Sequence, residues 1–212
     1  MFTNCHTHHS SDEKFEILQT ALFTNSSSFH SIGIHPWKAD EFEVSSVAEL
    51  LKNNTNENTL AIGECGLDQL KGPDLKTQVS IFEQQIVFSE ANNYPLIIHC
   101  VKAWNELLVT RKKYQPKQAW VFHGFAKYGI IEQVVQSGMM VSLGAAIINH
   151  PKRKEIIQNI PNNQLLLETD DLVIEIQSIY DCVAELKKIS LHELNELITY
   201  NFKNTFTRWQ IG

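Results

Sequence analysis

Histidines and carboxylates recur at the ends of short apolar runs along this chain. The runs are Phe2–His6, Ile32–His35, Leu60–Glu64, Leu96–His99, Val121–His123 and Leu165–Asp170. Imidazole nitrogens and carboxylate oxygens bind divalent cations, and they also move protons. The first run continues into Thr7 and His8, and residues two apart on an extended strand face the same side. One ion could therefore take both His6 and His8. Asp170, on a last strand lying beside the first, could reach that ion. His99 and His123 would hold a second ion, with Glu64 bridging the two. Four imidazoles and two carboxylates suit Zn²⁺ or Mn²⁺ better than the all-oxygen surroundings of Mg²⁺. A two-metal site of this kind activates water and stabilises a leaving oxygen, which is hydrolysis. Asp170 could also take the proton of the attacking water. Singly, each residue is explained as a polar strand end or a helix cap. Five independent strand ends carrying metal-type ligands are harder to explain that way.

Residues scattered over most of a chain meet if they end successive strands of one parallel barrel. The second half of the sequence supports this with alternating strand-like and helical segments. Leu75, Val79, Phe82 and Ile86 form a helical stripe, followed by the run Leu96-Ile97-Ile98. Ala103, Leu107 and Leu108 mark the next helix and Ala119–Phe122 the next strand. Ile131, Val134 and Val135 then predict a helix closed by Gly138. Met139–Leu143 is again apolar, a short helix covers Arg153–Gln158, and Leu165–Leu167 is the last strand. Ile176, Tyr180 and Val183 share a helical face. Ser190 and Glu193 form a capping box ahead of the stripe Leu194, Leu197, Ile198 and Phe202. The front is compressed. Ile17–Phe23 reads as a second strand with no room for full helices around it. The expectation is a TIM-like (β/α) barrel of about eight parallel strands, its early helices trimmed and its metal site at the C-terminal rim. At 212 residues the chain is short for such a barrel, which takes about 250.

Composition bounds the rest. The sequence is 43% hydrophobic and 20% charged, which predicts a single globular domain over 1–212. A net charge of −6 argues against coating nucleic acid by electrostatics. It argues less against a nucleic-acid enzyme, since two bound cations offset part of it. The four cysteines form no C-x-x-C pair. The N-terminal residues do not read as a signal peptide, and no apolar run approaches the roughly 20 residues that span a bilayer. A reduced, cytoplasmic, soluble protein is expected, with no membrane association and no obligate protein partner.

At these residues the chain resembles the TatD family of metal-dependent hydrolases, of the amidohydrolase superfamily. The matching segments are His6-Thr7-His8, Gly33–Pro36, Ile62–Asp68, Pro95–His99, His123–Phe125 and Leu167–Asp170, with Asn201 and Phe206 in the C-terminal pattern. They occur in the family's order from residue 4 to about 206. The resemblance implies a (β/α) barrel holding two divalent metal ions (Zn, Mn or Mg). It implies His6, His8, Glu64, His99, His123 and Asp170 as ligands, Asp170 and Glu64 in catalysis, and His35 as a further active-site histidine. It also implies deoxyribonuclease activity, with DNA or another phosphoester as substrate.

This chain departs from the family pattern at several points. Asn4 replaces a common Asp, Trp37 a frequent His, and Val101 a frequent Arg, with Lys102 beside it. Gly124–Lys127 replaces a Cys-Phe-Ser-Gly-like run. Asp171-Leu172-Val173 replaces an Arg- and Pro-containing loop. The expected substrate contacts are His35, Trp37, Lys102 and Phe125. Cleavage of a small ester, lactone or amide is the enzymatic alternative, and a metal-binding barrel without turnover the other. Cys5, Cys65 and Cys100 adjoin ligands and are expected to turn away into the packed wall. Trp104 and Trp120 are expected in the core. Lys152-Arg153-Lys154 reads as a solvated helix start.

Overall fold

The computed structural model describes residues 2–10, 15–24 and 26–210. Eight strands follow chain order in the sheet: β1 Thr3–Thr7, β2 Phe15–Thr20, β3 His30–Ile32, β4 Thr59–Asp68, β5 Leu96–Val101, β6 Trp120–Phe122, β7 Met140–Leu143 and β8 Leu165–Leu167. The pairs β1–β2, β3–β4, β4–β5, β6–β7 and β7–β8 are parallel. The helices are α1 Val47–Asn54, α2 Leu75–Asn92, α3 Trp104–Tyr114, α4 Ile131–Gln136, α5 Arg153–Asn159, α6 Gln177–Lys187 and α7 Leu191–Thr205. Sequential parallel strands linked through helices are the topology of a (β/α) barrel, as expected. Among the described residues no helix separates β1 from β2 or β2 from β3, so the front is trimmed. Among the described residues no helix is long and apolar enough to cross a membrane.

Two compact units can be distinguished. The first comprises Met1–Leu18 and Val121–Thr207. Here a parallel bridge between Thr7 and Asp170 sets the segment after β8 beside β1. Its strands read as continuous apolar runs because they are buried on both faces; Val121, Phe122, Val141, Leu143 and Leu165–Leu167 are at most 1% exposed. Two polar side chains fasten helices to strands. The Tyr180 hydroxyl on α6 donates to Thr3 O (2.9 Å) and accepts from Thr3 N (3.1 Å). Asn201 on α7 donates to Leu165 O (2.8 Å). The capping box of Ser190 and Glu193 starts α7. Gly138, at φ +76°, follows the end of α4 in the left-handed conformation that suits glycine.

The second unit comprises Gln19–Trp120 and Arg208–Gly212. Asp74 caps α2 by accepting from Lys76 N and Thr77 N. The buried face of α2 is Gln78, Ile81, Phe82, Gln85, Ile86, Phe88 and Ser89, so the helix is rotated from the stripe expected over Leu75, Val79, Phe82 and Ile86. Two glutamines lie on that face because backbone groups satisfy them. Gln78 pairs with both the N–H and C=O of Asp68, and Gln85 with those of Ile34. Phe82 meets Trp120 edge-on, ring centroids 5.5 Å apart. Fully burying a side chain of Phe82's size contributes about 1.5–3 kcal/mol.

Candidate functional site

In the first unit, β1 carries His6, and His8 lies one residue past its end. Asp170 lies beyond β8, where its N–H donates to His6 O (3.1 Å) and its C=O accepts from His8 N (2.9 Å). These bonds hold Asp170 at φ +57°, a conformation costly for most side chains and frequent at functional sites. His6 Nε2 stands 3.4 Å and His8 Nε2 3.6 Å from the same oxygen, Asp170 Oδ1. Both separations exceed an ordinary N–H···O bond. Two ligand atoms about 2.1 Å from one tetrahedral ion stand about 3.4 Å apart. The three side chains therefore fit a shared divalent cation, in spacing and in donor chemistry.

His123 follows β6 and packs its ring 4.7 Å, centroid to centroid, from that of His6. Its Nδ1 lies 3.5 Å from Glu168 Oε1, which also accepts from Gly124 N. Glu168 is fully buried. His123, Glu168 and Asp170 each offer an atom within 4.8 Å of the others. Asn4 braces this region. Its amide donates to Thr169 Oγ1 (2.9 Å) and accepts from Thr169 N (3.1 Å), and Thr169 Oγ1 donates to Thr7 Oγ1 (3.0 Å). The departure at position 4 thus leaves the residue before Asp170 fully held.

In the second unit, β4 runs four residues past the expected Glu64, to Asp68. Gly66 permits this. It has φ +131°, and a Cβ there would come within 2.1 Å of His99 O. Strand periodicity then puts Glu64 and Asp68 on one face. His99 on β5 lies between them, Nδ1 2.9 Å from Glu64 Oε1 and Nε2 3.1 Å from Asp68 Oδ2. His35 is not on β3, which ends at Ile32; it caps the 3-10 helix Pro36–Glu41. Its Nδ1 accepts from Trp37 N (3.2 Å), so in the neutral ring Nε2 carries the proton. That nitrogen is 3.4 Å from Glu64 Oε1, longer than an ordinary N–H···O bond, and His35, Glu64 and His99 each offer an atom within 4.8 Å of the others.

Trp37 is 42% exposed and its indole N–H donates to Asp68 Oδ2 (2.6 Å). Burial raises the Asp68 pKa, but the bonds from Trp37, Leu70 N and His99 outweigh it and hold the carboxyl below its usual range. Lys102 is exposed after β5, at φ +55°. Phe125, expected to touch substrate, is instead 1% exposed and packed edge-on against Phe122. The reason is that Phe125 N donates to Ser142 O on β7, drawing the residue into the wall.

Cys5, Cys65 and Cys100 are buried. Burial pushes the Cys5 and Cys65 thiols well up, with Glu168 and Glu64 adding to it, so both stay protonated and serve as packing. Trp104 and Trp120 are buried as expected. Lys152 is exposed and paired with Glu155 (3.1 Å). Sequence patterning passed over Asp68, Glu168, Gln78 and Gln85. The signal for the two carboxylates was present, since Glu64 and Asp68 are four apart on a strand and Glu168 stands two before Asp170.

A sequence profile for a family described as "TatD related DNase" matches residues 1–207. The metal-dependent hydrolase YabD of Bacillus subtilis is 28% identical over 197 residues, covering 84% of this chain and 77% of that protein. The 3'-5' ssDNA/RNA exonuclease TatD of Erwinia tasmaniensis is 29% identical over 144 residues, 65% of this chain and 56% of that one. Among solved structures, the Escherichia coli TatD homologue YJJV superposes with a TM-score of 0.74 at 23% identity, covering 84% of this chain and 76% of that one. That likeness shows the shared barrel fold.

Proposed function

This chain belongs to the TatD family of DNases, and from that premise we propose that it hydrolyses phosphodiester bonds, in DNA, at a centre of two divalent metal ions. As a TatD-type metal-dependent hydrolase it acts on ester bonds. The observation that carries the metal reading is the convergence of His6 and His8 on Asp170 Oδ1 at 3.4 and 3.6 Å. We assign His6, His8 and Asp170 to one ion, His99 and His123 to the other, and Glu64 to both. Two such ions would supply an activated water and offset charge on the leaving oxygen.

The chain's own residues do the remainder. Asp170 accepts the proton released by the attacking water, which its place beside the first ligands allows. Glu64 stands 2.9 Å from Nδ1 of the His99 imidazole, close enough for both to serve one ion. His35, with its proton on Nε2, donates to an oxygen of the substrate. Lys102 offers a point charge to a flanking phosphate, without the two-pronged grip of an arginine. Trp37 supplies an aromatic wall against which a base can rest. The nuclease name carried by the Erwinia relative supports a nucleic-acid substrate.

One observation favours a second reading. Leu172, Val173 and Ile174, just after Asp170, are 47%, 83% and 37% exposed, an apolar edge that suits a small ester, lactone or amide. The test pairs a labelled single-stranded oligonucleotide with a panel of such substrates, using protein loaded with Mn²⁺ or Zn²⁺. Cleavage of the oligonucleotide, lost on Lys102→Ala, is expected. Turnover confined to small carboxylic esters or amides would overturn the nuclease reading.

A further inference from the structure

We propose that Asp68 is a positioning residue that fixes the imidazole of His99 and the exposed indole of Trp37 in one arrangement, setting a metal ligand and the substrate wall together. The proposal rests on the ligand role assigned to His99 above. Four donors converge on this one buried carboxylate. Oδ2 accepts from Trp37 Nε1 (2.6 Å) and faces His99 Nε2 (3.1 Å). Oδ1 accepts from Leu70 N (2.8 Å) and Lys71 N (3.1 Å). The peptide of Asp68 is held as well, its N–H donating to Gln78 Oε1 (2.7 Å) and its C=O accepting from Gln78 Nε2 (2.8 Å). With backbone and side chain both tied, the carboxylate has one available orientation.

Two consequences follow from the chemistry. An imidazole that ligates a cation through one nitrogen donates its other N–H to an acceptor, which fixes the tautomer and raises its basicity. Asp68 is that acceptor, leaving Nδ1 of His99 on the Glu64 side. Trp37, in turn, gives its only side-chain donor to Asp68 and has none for substrate. Its contact with a nucleobase is therefore stacking or edge packing, which tolerates any base.

The loop after β4 reinforces the indole independently. A Cβ on Gly72, at φ +84°, would come within 2.7 Å of Trp37 Cα, so the loop lies directly against Trp37. Lys71 Nζ sits 3.5 Å from the indole ring centroid. His35 and His99 meet the indole edge-on, at 4.6 and 5.9 Å between centroids.

The variants are Asp68→Asn and Trp37→Phe in the full chain. The first places an amide N–H₂ against donors. The second keeps an aromatic ring but removes its N–H, leaving His99 paired. Asp68→Asn is expected to weaken Mn²⁺ binding, measured by chelator competition, by about 10–100-fold, and to raise KM for the oligonucleotide. Trp37→Phe is expected to leave Mn²⁺ affinity unchanged and to raise KM about fivefold. In metal-free protein, Asp68→Asn should shift the ring-nitrogen NMR signals of His99 and the indole N–H signal of Trp37. That readout stands even if the wild-type chain binds no metal, a result that would sink the ligand assignment instead. Unchanged His99 and Trp37 signals in Asp68→Asn would overturn the proposal. If the Asn variant does not fold, Trp37→Phe decides, and an unchanged KM overturns the proposal.

Discussion

The two units hold their candidate ligand side chains differently. In the unit of β3–β5, His99, Asp68 and Trp37 are joined by contacts of 2.6–3.1 Å, and Gln78 and Gln85 grip the backbone beneath. In the unit of β1 and β6–β8, backbone bonds and the Asn4–Thr169 pair hold the frame, while the His6 and His8 rings stand 3.4–3.6 Å from Asp170. The first arrangement is ordered by hydrogen bonds, whereas the second has the spacing of ligands around a cation. The contrast teaches that side chains wired by hydrogen bonds have their orientation set, whereas spaced ones leave room for the charge of an ion.

The largest effect belongs to the spaced part. Asp170→Asn should lower kcat by about 10²–10⁴-fold, the usual contribution of a positioned general base. The melting temperature should stay close to wild type, because asparagine tolerates the left-handed backbone at 170 and the bonds to β1 remain. A large loss of stability would mean that Asp170 is a structural residue.

Gly66→Ala probes the wired part. It combines a positive φ with a clash against His99 O, so denaturant unfolding should show a loss of about 2–4 kcal/mol. A near-neutral result would mean that β4 can shift, and that the Glu64–Asp68 register is not fixed.

Glu168→Gln sharpens the contrast. The amide can still accept from Gly124 N, but the charge below His123 is gone. Metal affinity should fall about 10–100-fold, read by chelator competition. Equal affinity would reduce Glu168 to packing.

The smallest effect is a pH dependence in the wired unit. Burial lowers the His30 pKa, only partly opposed by the Ser28 carbonyl, so the fold keeps this ring neutral. Below about pH 6.5 the unfolded chain binds a proton that the folded chain refuses. Stability should therefore fall as pH drops below that value and level off once pH passes the lowered folded pKa. His30→Gln should flatten this part of the profile, and an identical slope in wild type and variant would remove His30 as its source.

Much of the frame was legible in the sequence, because doubly buried strands announce themselves as apolar runs and most of the candidate ligands close those runs. The misses have physical causes. β4 was read too short because Gly66 interrupts its apolar pattern while the ladder continues. Gln78 and Gln85 drew no notice because only the folded chain brings the carbonyls and amides that satisfy them. His35 was assigned to a strand end because sequence does not show that its ring accepts from Trp37 N and turns the chain into a 3-10 helix. Phe125 was expected to touch substrate from its place in the His123–Phe125 segment, but its amide is bound to β7.

The central claim is that these clusters work through bound divalent metal. The most direct test is hydrolysis of a labelled single-stranded oligonucleotide by chelator-stripped protein, before and after Mn²⁺ or Zn²⁺ is restored, with bound metal counted in parallel. The account predicts no cleavage when stripped, recovery on addition, and two ions per chain. Full cleavage by the metal-free protein would contradict it.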